Sequence, residues 1–152
     1  MAEDRLYFRQ LLAGRDFAQS DPIARQMVNF VYLVGDRETG EAVHNLMRDQ
    51  EEMLLQPLLD FAASRNSVRL LGPTEAALRA PTVALECETS GEELATKLAK
   101  YGIMAGGGDF YAVRALEALG VDMEKAVLRL SFVHYTTRSE IDKLLNALED
   151  VL

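Results

Sequence analysis

The hydrophobic residues of this sequence follow helical spacing in some stretches and alternate with polar residues in others. Across residues 44–65, apolar residues recur at intervals of three and four while charged residues fill the other side, which predicts a long amphipathic helix. Its apolar positions are Leu46, Met47, Met53, Leu54, Leu58 and Phe61. Because proline lacks a backbone N–H and crowds the preceding turn, Pro57 predicts a kink or a break near Leu54–Gln56.

Three more helices are predicted from their ends and spacing. Ser90 followed by Glu93 is a capping-box pattern, so a helix is predicted to begin there and to end at Gly102. Its predicted buried positions are Leu94, Leu98 and Tyr101. Residues 112–120 form a shorter helix that ends in glycine, and the last helix is capped by Thr137 or Ser139. The buried positions of that last helix are Ile141, Leu144, Leu145 and Leu148.

Runs of alternating or β-branched residues predict the strands. These runs cover residues 68–71, 81–88, 103–105 and 126–133. A β-hairpin is predicted ahead of the long helix, since QMVNFVYLV is followed by the turn GDRETG and then by EAV. Helices and strands in this mixture predict an α+β protein.

Length, net charge and cysteine content exclude several classes of binding partner and cellular setting. The 152 residues suffice for one domain with a real core, and the net charge of −8 argues against non-specific binding of nucleic acid or acidic membranes. No apolar run approaches the ~20 residues that span a bilayer, and the N-terminus lacks the features of a signal peptide. Cys87 has no cysteine partner and lies in an apolar pattern, so a small buried hydrophobe in a cytoplasmic protein is expected.

Four motifs follow one another along residues 44–152, and they are RLLGP, APTVALE, YGIMAGGGDFYAV and LRLSFVHYTTRSEIDKLLNAL. In their order and spacing they resemble the C-terminal small domain of class V aminotransferase-fold enzymes that use pyridoxal phosphate, the cysteine desulfurase-like group in particular. This resemblance implies an α+β fold in which helices pack on one face of a small, mostly antiparallel sheet. The N-terminal β-hairpin would add strands to that domain.

On this resemblance, Arg129 matches the arginine that binds the α-carboxylate of the substrate. A guanidinium suits that role because it offers two parallel hydrogen bonds and stays charged. An arginine on the open sheet face that pairs with a local acid is an equally good interpretation. His134 and Tyr135 resemble part of the family's His-Tyr-Asn-Thr segment and could transfer protons. The stronger interpretation of that segment is a turn and helix cap.

The glycine-rich segment is predicted to be a flexible loop beside a site, because its spacing matches no phosphate-binding loop. The residues of this loop are Gly106, Gly107, Gly108, Asp109 and Tyr111. In cysteine desulfurases the loop after the preceding strand carries the catalytic cysteine, whereas Tyr111 lies near that position here. The resemblance therefore implies no transfer of sulfur through a persulfide.

The family also requires a lysine in a large domain to hold pyridoxal phosphate. The lysines of residues 44–152 fall on predicted helix surfaces or in a turn, and they are Lys97, Lys100, Lys125 and Lys143. We therefore expect no cofactor, and pyridoxal phosphate only if a large-domain partner is present.

Residues 5–43 resemble the opening hairpin of metallo-β-lactamase-fold hydrolases, in YFRQLL and DPIARQMVNFVYLVGDRETGEAV. That family continues with a His-x-His-x-Asp-His motif, which is missing here, since the sequence holds only His44 and His134. No metal site is expected. Two resemblances that meet near Ala42–Leu46 predict a chimera, with residues 1–43 and 44–152 fused into one folding unit.

The sequence thus predicts a folded, non-catalytic scaffold. Two alternatives stay open: residual binding of an amino acid or small carboxylate through Arg129, and a subunit of a split pyridoxal-phosphate-dependent enzyme of the lyase or desulfurase type. A small domain without its large partner exposes apolar surface, so a homodimer is expected, with exchange of the N-terminal segments as one form of it.

Overall fold

A computed structural model describes residues 37–152, and residues 49–152 form one compact unit. The helices and strands of the described part follow one another along the chain. Their bounds are α1 Arg37–Ala63, β1 Val68–Leu71, β2 Thr82–Cys87, α2 Gly91–Ala99, β3 Gly106–Gly108, α3 Val113–Ala118, β4 Val127–Ser131 and α4 Arg138–Val151. A single 3-10 turn, Ala76–Leu78, lies between β1 and β2. This α+β architecture confirms the predicted fold class.

The four strands form one antiparallel sheet in the order β1-β2-β4-β3. The register places Leu70 opposite Leu85 and Leu85 opposite Leu128, so apolar side chains line up across three strands. Along β2, buried residues alternate with more exposed ones, as the sequence predicted. Because side chains alternate between the two faces of a strand, one face of the sheet is buried and the other is more exposed.

The main core lies between one face of this sheet and the helices α1, α2 and α4. The three helices contribute leucines that are shielded from water, and the sheet contributes valines and leucines. The central members are Leu55, Leu58, Leu59, Val83, Leu85, Leu94, Leu98, Leu128, Leu130 and Leu148. Packing of longer helices on one face was expected from the family resemblance.

A smaller apolar cluster lies on the opposite face. It combines Leu71 and Val127 from the sheet with Leu116 of the short helix α3 and with Val121. This helix was predicted, but its position on the second face was not. It covers only part of that face, because α3 has six residues.

Pro57 does not break the long helix. Helix α1 continues through it from Arg37 to Ala63, so of the predicted kink or break near Leu54–Gln56 the break is wrong and the kink stays a prediction. The side chains on either side explain the continuity, since Leu54, Leu55, Leu58 and Leu59 are all fully buried. Their burial outweighs the loss of one backbone hydrogen bond at the proline.

The second half of the predicted hairpin is also helical. Residues 37–43, which were predicted to form part of the turn and the returning strand, lie in the first turns of α1. Glutamate, alanine and arginine in this segment favour helix, and only Thr39 and Val43 are β-branched. The first strand of that hairpin lies outside the described residues.

The helix caps follow the sequence closely. The Ser90 hydroxyl accepts a hydrogen bond from the Glu93 N–H, and Thr137 forms a complete capping box with Glu140. The hydrogen bonds that Thr137 donates, first from its backbone N–H and then from its hydroxyl, lower the pKa of the Glu140 carboxyl.

The prediction that Tyr101 is buried on α2 is wrong. Because α2 ends at Ala99, the Tyr101 ring lies beyond the helix and is exposed.

Two glycines let α2 approach the sheet closely. A Cβ atom built on Gly91 would lie 2.1 Å from the Val127 carbonyl oxygen, and one on Gly107 would lie 2.2 Å from the carbonyl carbon of Gly91. No side chain fits at either position without moving the backbone. The start of α2 is therefore fixed against β3 and β4.

Across residues 37–152, no helix is long and apolar enough to cross a membrane.

Candidate functional site

Strand β4 holds the candidate arginine on the open face of the sheet. Its pattern alternates, so Leu128 and Leu130 point into the main core while Arg129 is exposed. The cross-strand neighbours of Arg129 are Ala84 on β2 and Gly106 on β3. Neither neighbour has a long side chain, and Gly106 has none, so neither of these two residues crowds the guanidinium.

The contact that Arg129 does make is with an aromatic ring. Its guanidinium carbon lies 3.9 Å from the centroid of the Phe110 ring, which is within the range of a cation–π interaction. Within residues 37–152, no carboxylate lies within ion-pair distance of Arg129. The interpretation in which a local acid pairs with this arginine therefore has no support in the described part of the chain.

The glycine-rich segment differs from its prediction. Gly106, Gly107 and Gly108 form strand β3 and pair with Val127–Arg129, whereas residues 103–105, predicted as the strand, do not pair. The strand begins three residues later than predicted, and Gly107 within it permits the close approach of α2. The loop proper begins at Asp109.

That loop is a tight turn. The Asp109 carboxylate accepts a hydrogen bond from the Tyr111 N–H at 2.9 Å, and the Asp109 carbonyl accepts one from the Ala112 N–H at 2.8 Å. Phe110 and Tyr111 both have positive φ, 52° and 60°, which L-residues rarely adopt. As a result the Phe110 ring turns inward and the Tyr111 ring is completely exposed.

His134 anchors the turn between β4 and α4. Its ring is buried, and its Nδ1 lies 3.5 Å from Oε1 of Glu51 on α1. The same carboxylate oxygen accepts a hydrogen bond from the His134 backbone N–H at 3.2 Å. The other ring nitrogen, Nε2, is buried without a partner among the described residues. These contacts connect the turn to the long helix.

Tyr135 and the two threonines complete this turn. Tyr135 is exposed and meets the His134 ring edge-on, with 5.3 Å between centroids. Thr136 accepts a hydrogen bond from the Val133 N–H, and Thr137 caps α4. The arrangement fits the interpretation of this segment as a turn and cap.

The three candidate binding residues do not share one pocket. A cavity of about 480 Å³ lies between the end of β4, the start of α4 and residues 102–104, and Tyr135 lines it while Arg129 and His134 do not. Its polar lining consists of Ser131, Tyr135, Thr136, Glu140 and Lys143. Arg129 is instead grouped with Phe110, on the other face of the sheet.

Cys87 has the character of a core residue. Burial raises the pKa of its thiol to about 11, and the neighbouring negative charge of Glu86 adds to the effect. A thiol with that pKa is almost entirely protonated near neutral pH, and the protonated form is a poor nucleophile.

No group of three potential metal ligands from histidine, cysteine, aspartate and glutamate lies close together in residues 37–152.

Sequence reasoning missed two residues of this region. Phe110 lies in the glycine-rich motif next to Asp109, but no local pattern indicates that its ring contacts Arg129. The contact of Glu51 with His134 could not be predicted from the sequence, because 83 residues separate the two. Both contacts depend on tertiary structure.

Comparisons with known proteins relate the described region to one family. The sequence profile of the aminotransferase class-V family matches residues 40–144, and so begins before the predicted boundary at His44. The aminotransferase-like protein FGM3 of Gibberella zeae is 27% identical over 119 residues, which cover 76% of this chain and 30% of the fungal protein.

Two solved cysteine desulfurases have a similar fold. The enzyme CsdA from Escherichia coli superposes with a TM-score of 0.60 and 25% identity, over 80% of this chain and 28% of the enzyme. The enzyme from Thermococcus onnurineus superposes with a TM-score of 0.64 and 20% identity, over 81% of this chain and 28% of the enzyme. The chain therefore spans less than a third of the length of these relatives.

Proposed function

The chain belongs to the aminotransferase class-V family and contains a fragment of a cysteine desulfurase-like domain, and from this membership we propose that it binds the carboxylate of an amino acid through Arg129. The observation that carries the proposal is the state of this guanidinium. It is exposed on the open sheet face, is held against an aromatic ring and has no carboxylate partner within residues 37–152.

Charge and geometry both favour the binding of a carboxylate at Arg129. An arginine without an acidic partner keeps its hydrogen-bond donors available, and a carboxylate can accept two of them in parallel. Partial shielding by the Phe110 ring strengthens such a contact, because water competes less well there. The small side chain of Ala84 leaves room on one side for the main-chain atoms of an amino acid, while the Phe110 ring lies on the Gly106 side.

We propose no site for pyridoxal phosphate made of residues 37–152 alone. Lys143 is the only lysine that lines the cavity, and it is exposed on α4, while Glu140 beside it is engaged in the capping box. Gly106–Gly108 are paired in the sheet and form no phosphate cradle. A reaction of the bound amino acid would take its cofactor-binding groups from outside residues 37–152, as in a split enzyme of this family.

The test compares L-alanine with L-alaninamide, which lacks the carboxylate, by isothermal titration calorimetry on the full chain. L-alanine is expected to bind the wild type in an Arg129-dependent way, and Arg129→Ala is expected to weaken binding about tenfold or more. Arg129→Lys retains the charge but loses the planar fork, so an intermediate affinity is expected.

Equal heats from the wild type and Arg129→Ala would reject carboxylate binding. The non-catalytic scaffold predicted from the sequence would then be the better account of the chain. The proposed hydrolase-like origin of residues 5–43 stands apart from this test, because those residues lie almost entirely outside the described part.

We also propose that the chain forms a homodimer. Met104, Tyr111 and Leu119 are large apolar or aromatic residues with at least half of their surface exposed, and a second copy would shield them from water. Light scattering across a concentration series is expected to give twice the mass of one chain. A mass of one chain at every concentration would reject the dimer.

A further inference from the structure

The Phe110 ring occupies the space that Gly106 leaves open. A Cβ atom on Gly106 would lie 2.9 Å from two carbons of this ring, so the ring lies directly against the strand backbone. The guanidinium of Arg129, the cross-strand neighbour of Gly106, lies on the ring at 3.9 Å from the centroid. The ring therefore contacts both the strand and the guanidinium. This contact requires glycine at position 106, because a side chain there would collide with the ring.

The backbone conformation of the turn holds the ring in this place. Two consecutive non-glycine residues, Phe110 and Tyr111, lie in the left-handed region, which L-residues adopt only at an energetic cost. The hydrogen bonds to Asp109 stabilise the turn. Such strain persists where the surrounding structure enforces it, and here its result is the inward position of the Phe110 ring.

Contact with the ring restrains the guanidinium without using its hydrogen bonds. The ring attracts the positive charge through its π face, whereas an acidic side chain would occupy the N–H donors. In the described part of the chain, no acceptor is hydrogen-bonded to the Arg129 guanidinium. A restrained arginine with free donors loses less rotamer freedom when a carboxylate binds.

We propose that Phe110 is a positioning residue that orients Arg129 for binding the carboxylate of an amino acid. This role rests on the proposed function of Arg129. It assigns the specificity for a carboxylate to two residues on different elements, with Gly106 as the position that must stay without a side chain.

The experiment uses the full chain and the Nε–Hε resonance of Arg129 in ¹H–¹⁵N NMR spectra, assigned by its loss in Arg129→Lys. The ring current of Phe110 is expected to shift this signal in the ligand-free wild type and in Phe110→Tyr, but not in Phe110→Leu. Titration with L-alanine is expected to show binding about two- to fivefold weaker for Phe110→Leu and near wild-type binding for Phe110→Tyr.

Gly106→Ala provides an independent variant, because its methyl group would displace the ring while leaving both Phe110 and Arg129 in the sequence. It is expected to lose the ring-current shift and to bind L-alanine as weakly as Phe110→Leu. Thermal unfolding of each variant separates loss of the stack from loss of the fold.

The outcomes distinguish the two proposals. A wild type that does not bind L-alanine overturns the proposed function, and the role of Phe110 with it. Normal binding that Phe110→Leu and Gly106→Ala leave unchanged overturns the role of Phe110 alone, and so does a wild-type Arg129 signal without a ring-current shift.

Discussion

Replacing Gly91 with alanine is expected to lower the free energy of unfolding by about 3 kcal/mol or more. Helix propensity alone predicts the opposite sign, since alanine in a helix is about 1 kcal/mol more favourable than glycine. The structure reverses that expectation because the new methyl group would lie 2.1 Å from the Val127 carbonyl oxygen. Backbone atoms cannot give way as a flexible side chain can, so α2 would have to move away from the sheet.

Urea unfolding followed by circular dichroism measures this effect. Gly120→Ala is the matched control, because Gly120 has a positive φ of 70° but no atom within 4 Å of the added Cβ. Only backbone strain of about 1–2 kcal/mol is expected there. A Gly91→Ala protein as stable as the wild type would contradict the close packing of α2 on β4.

Leu58→Ala is expected to lower the free energy of unfolding by about 2–5 kcal/mol, through lost burial and the cavity that remains. Leu58 is fully buried and belongs to the main core, directly after Pro57 on α1. The substitution therefore tests whether the second half of this helix is part of the domain's core.

Met53→Ala on the same helix is the control for Leu58→Ala. Met53 is more than half exposed, so its truncation is expected to change the free energy of unfolding by about 0.5 kcal/mol or less. Urea unfolding of the two variants gives the comparison. Similar losses of stability in both would mean that α1 does not pack on the sheet as described.

The elements that the sequence predicted well have local signals. The strand at Val68–Leu71 follows from a short apolar run between turn residues, and the last helix follows from the capping pattern at Thr137 and regular apolar spacing. Local propensity and tertiary packing agree in both places, so a short window of sequence contains the necessary information.

The errors arise where distant residues decide the structure. Pro57 predicted a kink or a break, but the helix continues and the leucines around the proline are buried. Gly106–Gly108 predicted a loop, but these residues pair with β4 as a strand, and α2 lies against Gly107. The sequence resemblance identified Arg129, whereas its contact with Phe110 depends on a turn whose positive φ angles no local pattern revealed.

The strand order has a consequence for aggregation. In the described sheet, β1 and β3 are the two edge strands, with four and three residues, and unpaired backbone groups on long edges are what recruit strands from other molecules. Strand β3 consists only of glycine, so it has no side chains to form the dry interface between stacked sheets in amyloid. Edge-to-edge addition at β3 is therefore disfavoured, whereas the short β1 edge still carries apolar side chains.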